Sequence, residues 1–74
     1  MRRFSVVAKF NSELFGEIDN AVRKHGGHLI QGALDVAPEG LVGTFTISAD
    51  SDEAMKKTTG AIRQIPSIIR IQGV

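Results

Sequence analysis

The spacing of apolar residues switches along this chain from every second position to every third or fourth and back, and the whole cycle runs twice. In residues 3 to 10, Phe4, Val6, Ala8 and Phe10 alternate with Ser5, Val7 and Lys9, the pattern of a strand with one buried face. From Leu14 the recurrence lengthens: Leu14, Ile18, Val22 and His25 form a helical stripe, widened by Phe15 and Ala21. Asn11 and Ser12 stand before it as residues whose short side-chain oxygens suit a free first-turn N–H, so a helix is expected over 12 to 25. Asp19 and Arg23, four apart on its flank, support it by about 0.2–0.5 kcal/mol.

KHGGHL, residues 24 to 29, ends that helix. A residue just past a helix often takes a left-handed conformation that glycine adopts without steric cost, and Gly26 or Gly27 stands where it is needed. His25 then falls in the last turn, where a hydrogen-bonding or cationic side chain suits the exposed carbonyls. Strand spacing returns in residues 29 to 36, with Ile30, Leu34 and Val36 expected on the buried face beside Gly32, which suggests a bulge or a close approach. Pro38, Glu39 and Gly40 are turn chemistry, so a hairpin leads into a strand over 41 to 49 with Leu41, Phe45, Ile47 and Ala49 inward. Asp50 with Glu53 has the form of a capping box for a second helix. Its stripe is Met55, Thr58 or Thr59, Ile62 and Ile65. Pro66 bars continuation, and residues 67 to 74 close as a strand with Ile69 and Ile71 inward.

The expected order is βαββαβ, with weak repetition at an offset of 39: NSE at 11 to 13 over DSD at 50 to 52, and LIQ at 29 to 31 over IIR at 68 to 70. Right-handed crossovers joined by a hairpin give an α+β, ferredoxin-like sandwich: a four-stranded antiparallel sheet of order 4-1-3-2 with both helices on one face. At 74 residues the chain is expected to be a single domain over 1-74, near the smaller sizes that fold alone. It has no cysteine to staple it, so association with a second copy would help. The bare face of the sheet would carry Val7, Leu29, Val42 and Ile68 among small polar groups, and is either solvated or an interface.

Nine Lys and Arg against eight Asp and Glu leave a formal net charge of +1, too weak a field to attract nucleic acid or an anionic membrane. An RNA-recognition sheet of this topology stacks bases on exposed aromatics, whereas Phe4, Phe10 and Phe45 alternate toward the helices. No apolar run is long enough to span a bilayer and no signal pattern opens the chain, so a cytoplasmic protein is expected. Catalysis needs a nucleophile with a base, paired carboxylates or a metal with three or more ligands, and no such set stands out. The acids at 50 to 53 suit a helix N-terminus, and His25 and His28 are two imidazoles where zinc sites use three or four ligands. No enzyme activity, no cofactor and no metal are therefore expected from one copy alone.

The run KFNSELFGEIDNAVRKHGGHLIQ resembles the first half of an ACT domain, a small regulatory module, and SDEAMKKTTGAIRQIPSIIRIQGV is similar to its second helix and closing strand. Related patterns occur in the iron-only hydrogenase system regulator family and in the maturation chaperone of periplasmic nitrate reductase. The resemblance implies a non-catalytic regulatory or oligomerisation domain, a homodimer or larger homo-oligomer, that binds a small-molecule effector where the first loop meets a neighbouring subunit. Carried onto this chain, the ligand-binding positions are Asn11, Ser12, Glu13, Leu14 and Phe15 of the loop with Ile30 and Gln31 of the second strand. Glu13 stands where effector-binding members keep glycine; its carboxylate would repel an amino acid's own, which favours a cationic ligand or none. The alternatives are a chaperone-like binder that captures peptides by strand addition at the sheet edge, and a histidine-based metal sensor assembled across subunits.

Overall fold

The computed structural model describes residues 1–73 and has the expected element order. The elements are β1 (Arg2–Ala8), α1 (Leu14–Lys24), β2 (Gly27–Ala37), β3 (Gly40–Ala49), α2 (Asp52–Arg63) and β4 (Ile68–Gly73). The four strands form one antiparallel sheet in the order β2-β3-β1-β4, the expected order read from its other edge. The helices cover one face. Between the layers lie Phe4, Val6, Ala8, Leu41, Phe45, Ile47 and Ile71 from the sheet, with Leu14, Ile18, Val22, Met55 and Ile62 from the helices. Each large side chain buried there stabilises the fold by about 1.5–3 kcal/mol relative to exposure.

The helix ends follow local chemistry. Ser51, rather than the expected Asp50, caps α2: its Oγ accepts from the Ala54 N–H at 3.1 Å, and Glu53 instead pairs with Lys57 at 3.5 Å. The two candidates are adjacent, and Ser51 is the one whose extended backbone places its oxygen over the first turn. Gly26 ends α1 at φ +80°, the left-handed conformation expected of it, directly after the half-buried His25. Asp19 pairs with Arg23 at 3.4 Å, as the spacing predicts.

Both outer strands contain a one-residue bulge that overturns part of the inward and outward reading. In β2, Leu29 opposes Ile47 and Gln31 opposes Thr46, so Ile30 is the extra residue. In β4, Ile68 opposes Ala8 and Arg70 opposes Val7, so Ile69 is the extra one. Leu29 and Ile68 therefore pack on the core, while Ile30 and Ile69, expected inward, are 55% and 57% exposed. Gly32 marks a close approach and not the bulge: a Cβ there would sit 2.6 Å from the Phe45 ring and 3.0 Å from that of Phe15. Two further apolar residues expected inward are exposed. Phe10 lies past the end of β1, because the chain leaves the sheet after Ala8, and Val36 opposes Leu41 at the hairpin end of the outer strand, 77% exposed.

Candidate functional site

The loop from Lys9 to Glu13 carries Asn11, Ser12 and Glu13 of the expected binding positions, with Leu14 and Phe15 opening α1 just after it, and Asn11 organises it. The Asn11 side-chain amide donates to Glu17 Oε1 and, at 3.2 Å, to Ser67 Oγ on the loop before β4. Its Oδ1 accepts from the Glu13 N–H at 3.0 Å, and its backbone carbonyl accepts from the Leu14 N–H at 3.1 Å. A second tie runs beside it, from the Lys9 N–H to the Ser67 carbonyl at 2.8 Å. A single half-buried asparagine thus fixes the entry to α1 against a residue 56 positions away.

The rest of the loop divides by exposure. Leu14 is fully buried and belongs to the core, whereas Ser12 and Glu13 are exposed at the start of α1. Phe15 is 44% exposed; its ring meets that of Phe45 at a centroid distance of 5.6 Å, tilted by 51°. It also overhangs Gly32, so it stands against β2 one residue beyond Gln31. Gln31 opposes Thr46 on the bare face of the sheet, and Ile30 projects at the bulge between. Within one copy Phe15 stands on the helix-covered side of β2 and Gln31 on its bare side, while Asn11 is tied toward β4 at the opposite edge of the sheet.

Among the described residues, three open grooves that lie elsewhere are each lined by other side chains. One of about 550 Å³ runs along Asp19, Arg23, Gly26, Gly27, His28, Leu29 and Asp50. A second, of about 530 Å³, lies between the helices at Ala21, Lys24, His25, Lys57, Gly60, Ala61 and Gln64. The third follows Arg63 and β4. His25 and His28 border different grooves, and among the described residues no group of three or more His, Cys, Asp or Glu converges as a metal would need. No helix among them is long and apolar enough to cross a membrane.

The internal wiring of the loop left no sequence signal, since the role of Asn11 depends on Ser67, which arrives only when β4 joins the sheet. No family model matches this chain, and no curated protein matches it. Among solved structures it is similar to the ACT domain of the GTP pyrophosphokinase of Chlorobium tepidum, with a TM-score of 0.77 over 99% of this chain and 95% of that one, at 11% identity. The chain therefore has the ferredoxin-like fold of an ACT domain.

Proposed function

We propose that this chain is a non-catalytic regulatory domain that works as a homodimer or larger homo-oligomer and binds a small effector beside the loop between β1 and α1. The observation that carries the reading is the overlap with an ACT domain along nearly the whole chain, together with a first loop tied by Asn11 to Glu17 and Ser67. Pre-ordering a loop lowers the entropy lost when a ligand docks on it. With Leu14 committed to the core, the contact residues are Ser12, Glu13 and Phe15, completed by Ile30 and Gln31 of β2 on a neighbouring copy. The exposed Glu13 carboxylate makes a cationic effector the better fit than a free amino acid.

A thermal-shift screen with diamines, polyamines, amino acids and nucleotides tests this, because a ligand that binds the native state raises Tm by mass action. A cationic compound that raises Tm for the wild type and fails to do so for Glu13→Gln is the expected result. No shift with any class, or shifts that Glu13→Gln leaves unchanged, would remove the loop as the site.

Peptide capture by strand addition is the competing reading, since β2 lies at the edge of the sheet. The bulge at Ile30 argues against it by breaking the row of edge donors and acceptors that an added strand would follow. Leader-peptide titration that moves the Gln31 to Ala37 amides, and not those of the loop, would reverse that order.

A further inference from the structure

The face of the sheet opposite the helices carries an acid and a base at opposite ends of one row, and a further base, Arg3, two rows away on β1. Cross-strand register sets four residues side by side across all strands: Asp35 on β2, Val42 on β3, Val7 on β1 and Arg70 on β4. The two valines are half-buried in the middle and the two charges exposed at the rims. The next row is Ala33, Thr44, Ser5 and Gln72, small or uncharged throughout. Asp35 and Arg70 are three strand spacings apart, roughly 14 Å, too far to pair within one chain.

We infer that two copies stack through these bare faces about a two-fold axis running along the strands between β3 and β1, so that Asp35 of each copy pairs with Arg70 of the other. Such an axis reverses each row onto itself. Val42 then meets Val7, Thr44 meets Ser5, and acid meets base at both rims. Turning the axis across the strands through the same row would instead lay Asp35 on Asp35 and Arg70 on Arg70. Moving that axis by one row would set Val7 against Arg3, whose register partner is Thr46. The Asp35 and Arg70 charges favour this arrangement over the crosswise one, with Arg3 of each copy facing Thr46 of the other near the axis, and a pair at an exposed rim contributes little affinity. The covered area is modest: four strands about 4.8 Å apart, with seven residues at about 3.3 Å each, give roughly 440 Å² on each copy. That lies below the ~800 Å² per partner of a stable interface, so a weak, concentration-dependent dimer is expected.

The contact is separate from the effector loop and goes beyond the function proposed above: effector binding can fail while stacking stands. Sedimentation equilibrium up to about 1 mM chain reads it over the whole range of an interface this small. The wild type is expected to dimerise. D35R and R70D, each of which sets like charges together at both rims, are each expected to weaken dimerisation by about tenfold or more, and the double variant D35R/R70D to restore it. Since the two residues are too far apart to interact within a chain, restoration can arise only between copies. T44R, an exposed substitution at the centre of the face, is expected to abolish association, with circular dichroism confirming that the variant is folded. A monomeric wild type, dimers that tolerate T44R, or a double variant no tighter than the singles would each overturn the inference, the second by moving the contact to a sheet edge.

Discussion

The two βαβ halves of this molecule follow one plan and fill it with different material. In the first, α1 presents Leu14, Ile18 and Val22, all fully buried, to a strand that has Gly32 where the Phe45 and Phe15 rings come down. In the second, the buried stripe of α2 is Met55, Thr58 and Ile62, and the strand residue 39 positions after Gly32 is the buried Ile71. One half fills the space above its outer strand with rings from neighbouring elements, the other with the strand's own side chain. What the two share is backbone: each strand after a helix gains one residue at the matching place, Ile30 and Ile69. The comparison teaches that the repeat is conserved within this chain as geometry and volume rather than as residue identity.

That lesson breaks most visibly at the paired positions. Ile71→Ala is expected to lose about 3 kcal/mol in urea unfolding, because it opens a cavity the second half cannot refill. Gly32→Ala is expected to lose about 2 kcal/mol, since the new Cβ would stand 2.6 Å from Phe45 Cδ1 and force the ring aside. A neutral Gly32→Ala would mean that the rings do not occupy the space assigned to them.

A smaller effect of opposite sign separates the helices. The Thr58 hydroxyl is buried without a hydrogen-bond partner, whereas the fully buried residues of α1 are all aliphatic. Thr58→Val keeps the shape and removes that unmet group, so a gain of about 1 kcal/mol is expected in the same measurement. A loss would show that the hydroxyl has a partner in solution.

The two helix starts give the finest test. Ser51→Ala removes the cap of α2 and is expected to lower stability by about 0.5–1 kcal/mol. Ser12, its counterpart at the offset of 39, makes no capping bond; Glu13 holds the position before α1 and supplies no side-chain cap. Ser12→Ala is therefore expected to stay within about 0.5 kcal/mol of wild type by thermal melting, and equal losses at both sites would erase the asymmetry.

Periodicity, punctuated by the glycine, proline and capping residues between segments, placed all the elements in order. Where it failed, adjacent apolar residues competed for one inward position. Strict alternation counted back from Leu34 and Val36 puts Ile30 inside, and counted back from Ile71 it puts Ile69 inside; the bulges transfer both places to Leu29 and Ile68. The doublets LI and II at an offset of 39 carried a trace of this. At the site, the loop positions rest on the resemblance to a known module. The commitment of Leu14 to the core follows the stripe, but the bonds of Asn11 to Ser67 and Glu17 depend on tertiary arrival and left no local mark.

The extra residues at Ile30 and Ile69 also bear on how such a chain behaves when crowded. A straight outer strand is a template: every copy that adds to it presents the next copy with the same invitation, and growth has no natural stop. Here both margins carry a dislocation of one residue, so an incoming ladder loses step partway along, and polymerisation into a continuous ribbon is opposed from either side.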